Sequence, residues 1–381
     1  MLKEYVKEGI AVGSELLMRF PYRRTEALPE RSRIRRYLEN VYPDHPVYSK
    51  NTFQNYTSDE KKDLCIVVPF YNAPGEFMND CLLSLLHQKT EYSWQIVCVD
   101  DGSSDDTLER LKMYEKKFSP KILVIHQENK GVACARNTGI AYSNCRYIGF
   151  ADQDDWVSEE YVEELLKRAF AADADIVKCS HSVKKNGEVV STFSVPELSC
   201  INGLGSQMLS YSGMIWSGIY RREVFEQIRF PEGYWYEDMV SRMLLYPFAE
   251  KFESIDRVMY FKRKHDQNAS TVIWNSRKPK CLDHIYLLHH LLEEREKLGL
   301  QNDGVFFSCL LRELGQYLLW RTKGMDRTCR KMLFAEACYI ADEYGYYGEK
   351  DEIGKQYENA LRRHNYSLWK AVSWHDWATS L

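Results

Sequence analysis

The sequence lacks the long apolar runs and the compositional bias that mark several classes of protein. No apolar run approaches the ~20 residues that a membrane-spanning helix needs, and charges interrupt the first 20 residues too often for a secretory signal peptide. Glycine and proline supply only 20 and 11 of the 381 residues, which excludes collagen, mucin-like stalks and low-complexity chains. We therefore expect a folded, soluble and unexported protein.

Neither sign of charge dominates the chain. The 51 Lys and Arg residues against 55 Asp and Glu give a net charge of −4, so the chain carries no overall electrostatic signature of nucleic-acid binding. The 11 cysteines contain no C-x-x-C pair, and Cys65, Cys98 and Cys179 lie in apolar segments typical of buried strands. These features predict reduced structural thiols, a cytoplasmic location and no nucleic-acid partner.

Apolar runs of strand length alternate with stretches of helical periodicity between residues 63 and 180, an order typical of parallel βαβ units. An Asn186-Gly187 pair after the last run predicts a hairpin turn. Because parallel crossovers are right-handed, the loops after these strands gather at one edge of the sheet, where α/β proteins bind ligands. The predicted strands are Leu64–Pro69, Gln95–Asp100, Lys121–His126, Tyr147–Asp152 and Ile176–Ser180.

Both flanks of this region have helical periodicity. Residues 1–60 predict two helices, the second near Pro29–Glu39, and residues from about Lys280 to His364 are almost wholly helical in pattern. The sequence therefore divides into a helical N-terminal extension (1–60), an α/β domain (63–275) and a helical C-terminal domain (276–381).

Polar motifs follow four of the predicted strands or begin the next helix. A further acidic pair, Glu237-Asp238, comes at a predicted helix start. Carboxylates two residues apart at a strand end can present oxygen to a hard divalent cation, and Mg²⁺ or Mn²⁺ suits oxygen ligands better than zinc does. The four motifs are Pro69-Phe70-Tyr71-Asn72, Asp100-Asp101-Gly102-Ser103-Ser104-Asp105, Asn129-Lys130-Gly131 with Ala135-Arg136-Asn137, and Asp152-Gln153-Asp154-Asp155.

As a set, these motifs resemble the family-2, GT-A-fold inverting glycosyltransferases of the bacterial polysaccharide and cell-surface glycan type. The resemblance covers roughly residues 63–270 and implies a Rossmann-like, mostly parallel α/β sheet. It also implies a hexosyltransferase that moves a sugar from a UDP-sugar donor to a hydroxyl of a glycan or lipid-linked glycan, with Mn²⁺ or Mg²⁺.

The resemblance also implies a role for each motif. Asp238 would be the general base, with Glu237 positioning it or the acceptor, and Asp154 would bind the metal while Asp152 lies near the ribose and the metal. Trp216-Ser217-Gly218 resembles a Trp-led acceptor segment, and Arg263-Lys264-His265 with Ser270 a basic loop that closes over the diphosphate. The expected nucleotide-sugar contacts are Pro69, Phe70, Tyr71, Asn72, Asp100, Asp101, Lys130, Arg136, Asp152, Arg263 and His265.

Several alternatives remain open at the level of sequence. Each acidic motif alone also fits a helix cap, and Arg136 could hold phosphate oxygens or orient a carboxylate. A sugar-phosphate nucleotidyltransferase and a non-catalytic nucleotide-sugar-binding scaffold are the rival functions. The helical flanks could pack on the α/β domain, form a homodimer interface or acceptor platform, or attach the protein to the inner face of a membrane through Arg31, Arg33, Arg35 and Arg36.

Overall fold

The computed structural model describes residues 2–18, 27–47, 60–202, 204–266, 268, 273, 276–345 and 350–379. It divides into two compact units, one formed by Val47–Asp266 and the other by Met1–Pro46 together with Gln267–Leu381. The three-part division expected from the sequence stays a prediction.

The α/β unit is built on a ten-stranded mixed sheet. Its strands run in the order β3-β2-β1-β4-β9-β6-β10-β5, with β7 paired to β6 and β8 paired to β10. The strands are β1 (Lys62–Phe70), β2 (Trp94–Asp101), β3 (Ile122–Gln127), β4 (Cys145–Phe150), β5 (Trp156–Val157), β6 (Ile176–Lys185), β7 (Glu188–Phe193), β8 (Leu198–Asn202), β9 (Gly218–Arg221) and β10 (Lys251–Arg263).

The parallel half of the sheet confirms the fold class and the five strands expected from the sequence. β1 pairs in parallel with β2 and with β4, and β2 pairs in parallel with β3. The residues Leu64–Val68 of β1 are fully buried, as expected for a central strand that is covered on both faces. β6 and β7 form the expected antiparallel hairpin, with positive φ at Asn186 and Gly187.

The sequence did not predict the strands β5, β8, β9 and β10. β9 pairs antiparallel with both β4 and β6, so it joins the parallel half to the rest of the sheet. β10 spans 13 residues and pairs in parallel with β6, with register shifts between Ile255 and Val258 and between Val258 and Tyr260. These irregularities break the period-two alternation that makes a strand visible in a sequence.

Helices cover the sheet and build the second unit. In the second unit α1 packs against α14, and α2 packs against α12. The two expected N-terminal helices are confirmed. In chain order the helices are α1 (Leu2–Met18), α2 (Arg31–Val41), α3 (Gly75–Leu86), α4 (Thr107–Phe118), α5 (Val132–Ala141), α6 (Tyr161–Ala172), α7 (Val224–Gln227), α8 (Tyr246–Phe248), α9 (Asp283–Lys297), α10 (Gly304–Arg312), α11 (Leu318–Arg321), α12 (Arg327–Tyr344), α13 (Glu352–Arg362) and α14 (Tyr366–Thr379).

The described residues agree with two further expectations. No helix among them is long and apolar enough to cross a membrane. Of the 11 cysteines, the ten whose side chains the structure describes are all free thiols and all buried. Cys65, Cys98 and Cys179 lie inside strands, where they act as small apolar side chains.

Candidate active site

The loops after β1, β2 and β4 are tied together at one edge of the sheet. The Gln153 side chain accepts a hydrogen bond from the Tyr71 backbone N–H at 2.8 Å. The Asn72 side-chain oxygen accepts from the backbone N–H of Ser104, also at 2.8 Å. Asn72 itself has a positive φ of 46°, a conformation that asparagine tolerates better than most residues. The expected gathering of polar loops at the carboxyl ends of parallel strands is therefore present.

Asp100 and Asp101 follow one another at the end of β2, but they have different surroundings. Asp101 accepts hydrogen bonds from the Gln127 side chain and from the backbone N–H groups of Lys130 and Gly131, at 2.7, 2.9 and 2.8 Å. Asp100 Oδ2 lies 2.7 Å from His126 Nδ1, whereas its buried Oδ1 has no hydrogen-bond partner among the described residues. Asp100 thus keeps one buried acceptor oxygen without a partner among the described residues, and Asp101 shapes the turn before α5.

The Pro69–Asn72 motif splits between the core and the surface. Phe70 is 1% exposed and packs in the core beneath the sheet. Tyr71 is 47% exposed and is therefore the aromatic ring of this motif that can reach a planar ligand from its present position. Pro69 is half-buried at the end of β1.

Asp152, Asp154 and Asp155 form an acidic cluster directly after β4. One oxygen from each carboxylate lies within 4.8 Å of the others. Asp155 is buried and already accepts from the Tyr260 hydroxyl and from the Arg263 backbone N–H, each at 2.7 Å. Burial and the charge of Asp152 raise the pKa of Asp154, although His265 opposes the shift. Two crowded carboxylates of this kind suit a divalent cation, so Asp152 and Asp154 fit the metal site expected from the sequence.

Tyr260, on the unpredicted strand β10, supports this acidic loop from below. Its hydroxyl donates to Asp155 and accepts from the Asp152 backbone N–H at 3.1 Å. Its ring stacks on that of Trp216, with centroids 4.7 Å apart and planes 12° from parallel. Trp216 is itself buried, so it reaches the site through Tyr260 and lies in the core of the α/β unit.

Arg136, on α5, links the carboxylates of two distant motifs. Its side chain is buried, with Nη2 3.2 Å from Asp152 Oδ1 and Nη1 2.7 Å from Glu237 Oε1. Nη1 also lies 3.5 Å from Asp238 Oδ1. Three neighbouring carboxylates hold the pKa of the guanidinium above its ordinary value despite burial. In this arrangement Arg136 orients carboxylates, one of the two roles that its sequence motif allows.

Asn137, the next residue of α5, anchors the segment that leads to Glu237. Its side-chain amide donates to the Phe230 backbone oxygen at 2.9 Å and accepts from the Phe230 N–H at 3.0 Å. A pair of hydrogen bonds to one residue fixes that backbone in place against the helix. The segment then reaches Tyr236, whose φ of 67° is a strained left-handed conformation for an aromatic residue, immediately before Glu237.

Asp238 lies beside Arg136 in a partly exposed position. Its side chain is 30% exposed, so an acceptor can reach it. Burial, followed by the negative charges of Glu237 and Asp152, raises the pKa of Asp238 to about 7 in spite of Arg136 and Lys262. A carboxylate with a pKa near neutral is suited to general-base catalysis. A helix begins at Met239, as the sequence predicts, and the π-helical turn Ser241–Leu245 follows within it.

The basic segment after β10 lies against the acidic cluster. Arg263 donates to the Asp154 backbone oxygen at 2.8 Å and to Asp80 at 2.6 Å. Its guanidinium lies 4.5 Å from the ring centroid of Phe77. His265 Nε2 is 2.7 Å from Asp154 Oδ2. Ser270, also expected in this loop, lies outside the described residues.

Close strand packing accounts for the small residues in the Trp216 segment. A Cβ atom on Gly218 would lie 2.5 Å from the Val177 backbone oxygen and 2.7 Å from the Lys178 side chain. Lys178 is buried beneath this segment and donates to the backbone oxygens of Met214 and Trp216 at 3.0 and 2.6 Å. Burial lowers the pKa of Lys178 to about 7.

Sequence reasoning missed three residues that shape the site, Tyr260, Asn137 and Gln153. Asn137 directly follows Arg136, and Gln153 lies between Asp152 and Asp154. Their places within two of the polar motifs could therefore have indicated a role in the site. Tyr260 had no such signal, because its strand was not visible in the sequence.

Comparison with known proteins finds sequences that are similar to the α/β unit. Residues 65–229 match the model described as glycosyl transferase family 2. The Bacillus subtilis protein named uncharacterized glycosyltransferase EpsJ is 30% identical over 233 residues, which cover 58% of this chain and 65% of that protein. An Escherichia coli protein, UDP-Glc:alpha-D-GlcNAc-diphosphoundecaprenol beta-1,3-glucosyltransferase WfgD, is 30% identical over 140 residues, 36% of this chain and 53% of the relative.

The fold of this chain also resembles that of a solved structure. Staphylococcus aureus TarS 1-349, crystallised with UDP-GlcNAc, superposes with a TM-score of 0.58 at 19% identity and covers 82% of this chain and 90% of that one. The chain spans between about a third and two thirds of the length of three curated relatives that it matches.

Proposed function

We propose that this chain, whose residues 65–229 match the glycosyl transferase family 2 model, transfers a sugar from a UDP-sugar to an acceptor hydroxyl with inversion at the anomeric carbon. One observation carries the proposal: Arg136 contacts Asp152 of the acidic cluster at 3.2 Å and Asp238 at 3.5 Å. Carboxylates 86 residues apart in sequence thus share one guanidinium, as a single reaction centre requires.

In the proposed reaction Asp238 is the general base. It takes the proton of the acceptor hydroxyl while the hydroxyl oxygen forms a bond to the anomeric carbon. The bond from that carbon to the diphosphate oxygen breaks, and UDP leaves from the opposite face, so the configuration inverts. Arg136 holds Asp238 in place at 3.5 Å, and Glu237 fixes the guanidinium of Arg136 at 2.7 Å. A base in reach of the hydroxyl contributes about 10²–10⁴ in rate.

The other residues of the site would bind the donor. The buried, unsatisfied oxygen of Asp100 and the exposed ring of Tyr71 suit a uracil base, which offers an N–H donor and a flat face. Asp152 and Asp154 would hold Mn²⁺ or Mg²⁺, which when bound neutralises charge on the leaving diphosphate. Arg263 and His265 lie at the rim of the acidic cluster, where they are placed to face the diphosphate.

The acceptor class follows from the relatives. The names of related proteins point to bacterial cell-surface glycans, and that of WfgD includes a diphosphoundecaprenol-linked acceptor. We therefore propose a glycan or lipid-linked glycan acceptor, and a cytoplasmic reaction that agrees with ten free buried cysteines.

The test is a screen of UDP-sugars and other nucleotide sugars with Mn²⁺ or Mg²⁺, in which donor consumption and UDP release are measured. Asp154→Ala should abolish metal-dependent turnover. Asp238→Asn should remove turnover while UDP binding stays nearly intact, and the exposed Asp44→Asn variant, in the helical unit, serves as the matched control. Near-wild-type turnover by Asp238→Asn would reject the assigned base.

The same screen separates the rival functions. Pyrophosphate release from a nucleoside triphosphate and a sugar phosphate would identify a nucleotidyltransferase. Stabilisation by UDP without donor consumption, across a broad panel of acceptors, would identify a binding scaffold.

A further inference from the structure

A cavity of about 460 Å³ lies within the helical unit, apart from the residues assigned to catalysis. It is formed by α1, α12, α14 and the residues next to them. The residues that matter here are Leu17 of α1, Arg327 and Arg330 of α12, and Tyr366, Lys370 and Trp374 of α14.

Among the residues that the structure describes, three cationic side chains and no carboxylate line the cavity. Arg327, Arg330 and Lys370 form no ion pair with any residue that the structure describes. The Nε atom of Arg330 is shielded from solvent, and no described residue accepts a hydrogen bond from it. Like charges held close together without counter-ions raise one another's electrostatic energy, and a bound anion relieves that repulsion.

Two arginines of the same unit outside the cavity are paired with glutamates. Arg31 contacts Glu336 at 2.9 Å and Glu343 at 2.8 Å. Arg321 Nη1 lies 3.2 Å from Glu313 Oε2. The three cations of the cavity therefore differ from these two paired arginines.

Apolar groups border the cations. Tyr366 and Trp374 contribute aromatic walls, and Lys370 Nζ lies 6.0 Å from the centroid of the Tyr366 ring. At the rim Leu17 is 51% exposed, and α1 also exposes Val12 (60%) and Leu16 (57%) one helical turn apart. Cations beside exposed aliphatic side chains are the composition of a surface that lies at a membrane interface.

We propose that this cavity binds the phosphate of an anionic phospholipid and docks the helical unit on a membrane surface. A soluble anion would need only the cations, whereas a bilayer also accounts for the exposed Val12, Leu16 and Leu17. Because the whole chain has a net charge of −4, overall charge cannot attract it to an anionic membrane. The attraction must come from a local cluster such as this one.

This surface differs from the one that the sequence suggested. Arg31 of α2 is held by two glutamates, while Arg33, Arg35 and Arg36 are exposed beside a helix face whose apolar residues, Ile34 and Leu38, are buried. An exposed row of arginines without exposed apolar neighbours is typical of a solvated helix face. Replacing the three exposed arginines of α2 therefore gives a control variant that loses the same positive charge as the cavity variant.

The experiment is co-sedimentation of the full chain with vesicles of 70% phosphatidylcholine and 30% phosphatidylglycerol, and with vesicles of phosphatidylcholine alone. The cavity variant is Arg327→Gln/Arg330→Gln/Lys370→Gln, and the control is Arg33→Gln/Arg35→Gln/Arg36→Gln. We expect the cavity variant to lose at least tenfold in partition coefficient on the anionic vesicles and the control to lose less than threefold. Val12→Ser/Leu16→Ser should also weaken binding, although its charge is unchanged.

Each other outcome overturns the lipid assignment. Absence of wild-type binding, or equal losses in the two triple variants, would show that the cavity is not a lipid site. Displacement from vesicles by inorganic phosphate at constant ionic strength, with no effect of Val12→Ser/Leu16→Ser, would identify a soluble phosphate ligand. A concentration-dependent dimer that only the cavity variant disrupts would identify a second copy of the chain as the occupant.

Folding and catalysis provide the controls. Thermal unfolding of each variant should match the wild type, since all substituted side chains lie at the surface or the cavity. Donor hydrolysis in solution should be unchanged in the cavity variant, so loss of membrane binding can be told apart from failure of the proposed activity.

Discussion

At the scale of single residues, the face of the strand on which a side chain lies decides which of two neighbouring acids keeps an acceptor oxygen for a ligand. Asp100 and Asp101 are adjacent, yet side chains alternate between faces, so Asp100 keeps a free buried oxygen while Asp101 holds the turn before α5. The sequence predicts that an acid at this strand end matters. It cannot select one of them, because the partners, His126 and Gln127, come from the next strand.

The raised pKa of Asp238 leads to a pH prediction. A general base acts only when deprotonated, and burial with the charges of Glu237 and Asp152 raises the pKa of Asp238 to about 7. We expect kcat to fall about tenfold per pH unit below that pKa and to level off above it. Steady-state rates between pH 5.5 and 8.5 check this, with UDP binding measured at each pH as the control. A flat profile would contradict the assignment.

Replacing Arg136 should separate its charge from its geometry. Arg136→Lys keeps one positive charge but cannot reach both Asp152 and Glu237 with separate nitrogens, so we expect kcat to fall about 10- to 100-fold. Arg136→Leu leaves three carboxylates without their cation and should destabilise the α/β unit by about 3–5 kcal/mol. Urea unfolding and donor turnover measure the two effects. Wild-type turnover in the lysine variant would exclude a bridging role.

At the scale of elements, the sequence predicts those that have a clear period. The strands β1 to β4 and β6 and the helices α3 to α6 follow continuous apolar runs and helical spacing, and all were found near the expected residues. β10 was missed because register shifts near Ile255 and Val258 break its alternation. Since β10 carries Tyr260 and Arg263, the support of the acidic loop could not be derived from the sequence.

The contact between β9 and β6 gives a prediction at this scale. Gly218→Ala would place a Cβ atom 2.5 Å from the Val177 backbone oxygen. Neither strand can move away from this contact without losing hydrogen bonds between β6 and β9. We expect about 1–3 kcal/mol of destabilisation. Gly149→Ala, in the neighbouring strand β4, is the matched control because its nearest heavy atom would be 3.5 Å away. Equal stability of the two variants in denaturant unfolding would show that the close approach has no energetic cost.

At the scale of the whole molecule, segments far apart in the sequence form common units. α1 packs on α14 and α2 on α12, so the two ends of the chain build one helical unit. Such pairings depend on surfaces that local periodicity does not encode, which is why the sequence predicts the helices but not their partners. The same reasoning applies to the cavity beside Arg330, whose walls come from both ends of the chain.

Metal binding should depend on the donor. The two carboxylates that fit a cation, Asp152 and Asp154, are few ligands for Mn²⁺, and Asp155 already accepts two hydrogen bonds from protein groups. We expect calorimetry to detect weak Mn²⁺ binding alone and at least tenfold tighter binding with UDP. Equally tight binding with and without UDP would contradict a shared metal and diphosphate site.

The most direct test of the central claim is a crystal structure of the protein with Mn²⁺ and an unreactive UDP-sugar analogue. The account predicts that Asp154 contacts the cation and that Asp238 faces the anomeric carbon across the same cavity, with Arg136 between their two motifs. A complex in which Asp154 and Asp238 open into separate cavities, or in which the nucleotide avoids Asp100, would contradict it.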